Sequence, residues 1–117
     1  MTQSFKMFTV QEPEINQIRH TVRYGKEANN PNLLNIWFAM EQVSHQQDTD
    51  SKRQMYHAQC QLLIETLYDE TVIEHWRSWC LDNINKPLLG LQRLVTTKKQ
   101  QVQLNNLYVA LRSASNQ

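Results

Sequence analysis

The chain has 117 residues, 40% of them apolar and 20% charged, with a formal net charge of +1. That length supports one domain able to bury roughly two thirds of its unfolded surface and is too short for two ordinary ones. The charge balance excludes the strong positive field of a dedicated nucleic-acid binder and the charge excess of a disordered tail; surface polarity comes instead from 24 Asn and Gln side chains, which do not titrate.

Residues 1–11 carry Phe5, Met7, Phe8 and Val10, a stretch too short for an independent helix, and are expected to form an arm. They contain no apolar core of a secretory signal. Nowhere do about eighteen apolar residues follow one another, so the expectation is a cytoplasmic protein with no membrane partner. Pro13 suits the first turn of a helix, where a missing N–H costs nothing, and Ile15, Ile18 and Val22 mark its buried face until Gly25 and Asn29-Asn30 end it. Asn30 can cap a second helix with Pro31 at its first position; Leu33, Leu34, Trp37, Met40 and Val43 trace its apolar stripe to about Gln46.

The segment Asp48–Ser51 reads as a loop rich in capping groups. A third helix follows on Met55, Tyr56, Leu62, Leu63, Ile64 and Leu67 and ends near Asp69. Thr71 and Glu74 have capping-box spacing before a fourth stripe of Ile73, Trp76, Cys80 and Ile84. Pro87 cannot continue that ladder, which predicts a break at Asn85–Lys86 and a shorter helix on Leu88, Leu91, Leu94 and Val95. Thr97 and Gln100 repeat the capping box before a last helix on Leu104, Leu107, Tyr108 and Leu111, with residues 113–117 frayed. The fold class that follows is all-α: one compact bundle of five or six helices in a single domain, with an N-terminal arm.

Glycine stands only at 25 and 90, which rules out a P-loop or dinucleotide fingerprint, since both need glycines where backbone N–H groups approach phosphate. The histidines at 20, 45, 57 and 75 are never four residues apart. His57 with Cys60 and His75 with Cys80 form the best ligand set, but a spacing of five places the second pair about 140° apart around a helix. No metal and no cofactor is therefore expected. Cys80 shares a stripe with Trp76, where desolvation favours the thiol over a nucleophilic thiolate, and Cys60 and Cys80 read as buried and reduced. Glu65, Asp69, Glu70, Glu74 and Asp82 read as a solvated face rather than acid–base machinery, and no catalytic residue is assigned.

Two features remain for recognition. From Lys86 onward come Lys86, Arg93, Lys98, Lys99 and Arg112 with no acidic residue, whereas 61–85 hold five acids against Arg77. The simplest account pairs these charges within the fold; the sharper one makes Lys98 and Lys99, with neighbouring amides, a basic patch for an acidic protein or a phosphate backbone. Phe38, Trp79 and Val109 fall off the main stripes, and either fill the core or expose aromatic and aliphatic anchors.

Leu91-Gln-Arg-Leu94-Val95, a polar spacer, then Leu104-Asn105-Asn106-Leu107-Tyr108 and Leu111 resemble the end of flagellar export chaperones of the FliT type, over about a fifth of the chain. That resemblance implies a last helix that regulates a groove accepting an amphipathic helix from an export substrate. The function expected is non-catalytic protein binding by a small bacterial adaptor, chaperone, inhibitor or immunity-type regulator. Phe38, Trp79 and Tyr108 would serve as anchors and Lys98, Lys99 and Arg112 as steering charges, with another protein or a second copy of the chain as partner. Nucleic acid, bound through the basic C-terminal region with Asn85–Gly90 as a helix-turn-helix turn, ranks second.

Overall fold

The computed structural model of the chain describes residues 12–44 and 48–115. Among the described residues six helices follow one another: α1 (Glu12–Tyr24), α2 (Leu33–Ser44), α3 (Thr49–Tyr68), α4 (Glu74–Asn83), α5 (Asn85–Leu94) and α6 (Lys98–Ser115). No strand occurs among the described residues. The expected arm, residues 1–11, lies outside them, as do 45–47, where the second helix was expected to end.

The longest helix, α3, touches each of the other five and is the axis of the bundle. Its start is fixed by Asp48, whose carboxylate accepts the Ser51 N–H at 2.7 Å. The expected loop is therefore only a cap, and the helix begins at Thr49. Met55, Gln59, Cys60, Leu63, Ile64, Thr66 and Leu67 of α3 are buried. Of these, Cys60, Leu63, Ile64 and Leu67 meet Ile18 and Val22 of α1, Leu33, Leu34 and Trp37 of α2, Trp76 and Cys80 of α4, Leu88 and Leu91 of α5, and Leu104 and Leu107 of α6 in one core. Burial of these side chains is the main source of stability, at roughly 1.5–3 kcal/mol for each large one.

The end of α1 shows how the core fixes the chain path. Gly25 has φ of +62°, the left-handed conformation that closes a helix, and a Cβ there would stand 2.9 Å from Trp76 Cδ1. Side chains from elsewhere also reach the carbonyls at this end of α1: the Trp76 indole donates to Val22 O at 2.8 Å, beside the Gly25 N–H, and the Thr66 hydroxyl, 2.8 Å from Leu62 O of its own helix, lies 3.3 Å from Arg23 O. On the far side of that turn, Asn30 Oδ1 accepts the Asn32 N–H at 3.2 Å, but α2 begins only at Leu33, so Asn30 and Pro31 form a turn ahead of the helix rather than its cap and first position.

At the other helix ends the structure separates two look-alike motifs. Thr97 and Gln100 form both arms of a capping box, Gln100 N to Thr97 Oγ1 at 3.1 Å and Thr97 N to Gln100 Oε1 at 3.2 Å. Thr71 and Glu74 do not. Ile73 is the N-cap of α4 and offers no side-chain acceptor, while Thr71 turns back to Asp69, its hydroxyl donating to Oδ1 at 2.6 Å. Ile73 is accordingly 52% exposed rather than part of the α4 stripe. The break before Pro87 falls at Ile84, one residue earlier than expected, where α4 ends and α5 begins. Asn85–Gly90 is continuous helix, which removes the helix-turn-helix turn. Residues 113–115 are helical, with Ala114 buried, rather than frayed.

Among the described residues three polar side chains are buried: Glu41, Gln59 and Thr66. Glu41 accepts from Arg19 Nε and NH2, each at 3.2 Å, and from the Trp37 indole N–H, which ties α1 to α2. The two-pronged guanidinium contact raises the Arg19 pKa above its ordinary value, the hydrogen bond to Glu41 outweighing partial desolvation. Glu41 occupies the inward position next to Met40, whereas Val43 on the expected stripe is 39% exposed.

Candidate functional site

Helix α6 lies beside α3 and runs in the same direction. Gln100 shares a lining with Arg53 and Gln54 at one end, and the Tyr68 hydroxyl donates to Ala110 O at 3.1 Å at the other. The side chains between the two helices do not close. They leave three contiguous depressions of about 300, 310 and 410 Å³ that share Arg53, Gln54, His57, Gln61 and Gln103, so together they make one groove. From Gln100 to Ala110 it extends roughly 15 Å at the helical rise per residue.

The groove has an apolar floor and an amide wall. Leu91, Ile64, Leu107 and Ala110 supply the floor; Gln54, Gln61, Gln100, Gln103 and Asn106 supply the wall. Side-chain amides both donate and accept, so this wall matches the polar groups of a polypeptide without preferring one charge. Charge stands at the ends: Asp50, Arg53 and Lys99 at one, Glu65 at the other. Arg53 is committed to the scaffold. Its Nε and NH2 donate to Leu94 O at 3.1 and 2.9 Å, capping α5, and its NH1 pairs with Asp50 at 2.5 Å.

Lys98 and Lys99, singled out in the sequence, form the exposed first turn of α6, which contains no acidic residue. Two cations there oppose the helix dipole, where an acid would gain about 0.3–1 kcal/mol. Arg112 is exposed on the last turn of the same helix, and exposed Val102 and Val109 also belong to α6. Tyr108 is half-buried, packs on the core and donates to Gln92 Oε1 of α5 at 3.5 Å, away from the groove lining.

The two other aromatic candidates are placed elsewhere. Phe38 is half-buried against Trp37, ring centroids 5.1 Å apart, and lines a separate pocket between α2, α3 and α5. Trp79 is also half-buried and packs on the core. Of the expected site, Lys98 and Lys99 stand together beside the groove, Arg112 and Tyr108 share their helix, and Phe38 and Trp79 are remote from it. The helical period alone puts Gln54 and Gln61 on one face, but without helix pairing nothing in the sequence brings Gln103 opposite them, so the amide wall as a whole was legible only as a high count of Asn and Gln.

The groups whose pKa departs most from its ordinary value belong to the scaffold. Burial pushes the Cys60 and Cys80 thiols up to about 12, and both are unbridged. The Asp69 carboxylate is held down at about 2, by the Thr71 hydroxyl first and then by the Arg23 guanidinium at 2.8 Å. His75, half of one suggested metal pair, has its Nε2 3.0 Å from Ala28 O at the end of the α1–α2 loop. No group of three or more His, Cys, Asp or Glu side chains among the described residues is arranged to hold a metal ion. No helix among them is long and apolar enough to cross a membrane. The chain matches no family model, no curated protein and no solved structure.

Proposed function

We propose that the protein is a non-catalytic binding module that takes an acidic, amphipathic segment of another protein into the α3–α6 groove. One observation carries this reading: the turn that opens α6 beside the groove holds Lys98 and Lys99 where the helix dipole is already positive. A sequence that sets two cations against its own helix gives up stability locally, and such departures from the local rules cluster at sites of function. The two lysines steer an acidic segment toward the groove mouth, and the amides and the Leu107–Ile64 floor hold its polar and apolar faces. A groove that accepts a partner's helix is also what the resemblance to export chaperones implies, with the difference that here α6 forms one wall of the groove.

Double charge reversal, Lys98→Glu with Lys99→Glu, separates recognition from folding. Acids in a first helical turn are favourable, so the variant should melt at the parent temperature or slightly above it. Capture of the partner by the tagged, full-length chain, read by mass spectrometry of retained proteins at matched bait, should fall about tenfold or more. Undiminished capture of the same protein would remove the lysines from the interface. Retention of nucleic acid instead, lost log-linearly with added salt, would favour phosphate recognition.

A further inference from the structure

Helix α2 has two apolar sides, and the bundle uses one. Leu34, Trp37 and Glu41 turn inward, where α2 packs against α1 and α3. Ile36, Ala39, Met40 and Val43, at i, i+3, i+4 and i+7, make a second stripe turned away from the core, with Ile36 46% and Val43 39% exposed. A helix that is apolar on more than one side is ordinarily covered on each. The α3–α6 groove takes nothing from α2 in its lining, so this stripe is independent of the reading given above.

Charge decides what covers the stripe. The one ionisable side chain of α2 is Glu41, which is buried and matched by Arg19. The exposed side of the helix is therefore uncharged, the composition of an interface centre rather than of its rim. Its two flanks are charged and differ in sign. On the α1 side, Glu14 and Glu27 line a depression together with Leu33 and Met40. On the α5 side, Lys86 lines another with Ala39 and Gln42, and its Nζ donates to Asn35 Oδ1 at 2.6 Å.

Such a face complements itself. A two-fold axis running along α2 lays the stripes of two copies together in parallel, Ile36 on Ile36 and Val43 on Val43, and sets the acidic flank of each copy opposite the Lys86 flank of the other. Glu27 belongs to the turn that leads into α2, its carbonyl accepting the Asn30 N–H at 2.9 Å, and Lys86 reaches Asn35 near that same end of the helix. An axis across α2 would instead oppose acid to acid. We infer that the protein forms a two-fold symmetric dimer through the outer stripe of α2, with Glu27 of each copy paired to Lys86 of the other. One helix face about 18 Å long is small beside the roughly 800 Å² that each partner gives to a stable complex. The flanks must join it, and the dimer is weak, with a dissociation constant on the order of tens of micromolar.

Sedimentation equilibrium of the full-length chain, from about 5 to about 500 μM, tests this. The expected result is a reversible equilibrium between monomer and dimer. Ile36→Glu and Val43→Glu should each weaken it at least about tenfold, with the melting temperature of the dilute chain unchanged because both positions are exposed. Val102→Glu, on the exposed side of α6, should leave it as in the parent. Glu27→Lys and Lys86→Glu should each weaken the dimer about fivefold, and the two together should restore it, since the pair is rebuilt with its signs exchanged. A chain that stays monomeric to about 1 mM, or a dimer broken by Val102→Glu and not by Ile36→Glu, would overturn the interface. Losses from the two charge variants that add instead of cancelling would overturn the two-fold placement. A monomer whose α2 amide resonances shift on Phe5→Ser and Phe8→Ser would give the stripe to the chain's own first residues and overturn the dimer equally.

Discussion

Asp69 shows how much of this fold rests on single side chains at helix junctions. Its backbone N–H closes α3 on Thr66 O, while its carboxylate accepts from the Thr71 hydroxyl at 2.6 Å and pairs with Arg23 of α1 at 2.8 Å, which brings its pKa from an ordinary 3.8 to about 2. Because the fold prefers the ionised form, this contribution is fully present above the unfolded value near 4 and is lost as pH falls through about 2. Asp69→Asn should therefore melt below the parent at pH 7, and the gap should narrow between pH 4 and pH 2 in parallel thermal melts. A gap of constant size across that window would mean that the charge of Asp69 does not support the fold. The sequence placed Asp69 correctly at the end of a helix but gave Thr71 the wrong partner. Its spacing to Glu74 imitates a capping box, and only the return of Thr71 to Asp69 shows that the hydroxyl is already engaged. Glu41 was missed altogether, since a carboxylate on an apolar stripe reads as solvent-facing until Arg19 arrives from another helix to match it.

Helices were more legible than their contacts. Period and proline positions located all six, because burying one face of a helix imposes its 3.6-residue repeat on the chain regardless of what lies opposite. What the repeat does not carry is which helices touch, and so neither the groove nor the Phe38 pocket was visible. Gly90 illustrates the difference. Read alone it suggests a turn, yet it sits inside α5, where a Cβ would come within 2.6 Å of Tyr56 Cζ and within 2.8 Å of two other ring atoms. Its missing side chain lets α5 lie against the Tyr56 ring of α3. Gly90→Ala gains about 1 kcal/mol of helix propensity but must displace that ring, at a cost of about 1–3 kcal/mol. The expected outcome is a net loss of about 1 kcal/mol by urea denaturation. In a Tyr56→Leu background the same substitution should become neutral or stabilising, since the obstruction is gone. Equal losses in both backgrounds would locate the cost of the added methyl elsewhere.

At the scale of the molecule, the bundle divides its polar residues between two tasks. Arg19, Glu41, Arg23, Asp69 and Arg53 lock helices to one another and are used up in doing so. Lys98, Lys99 and the amides of α3 and α6 lie along a groove that the core does not need. That division motivates the central proposal, which places recognition in the α3–α6 groove rather than at the half-buried aromatics Phe38 and Trp79. The most direct measurement is site-specific photocrosslinking in living cells, with a benzophenone side chain replacing Gln103 in the groove wall or, as the control, exposed Ser78 on α4. A discrete protein adduct from position 103 that is absent from position 78 and is lost when Lys98 and Lys99 are both changed to Glu is the predicted result. No adduct at 103, or one that appears equally from 78 and survives the charge reversal, would contradict it.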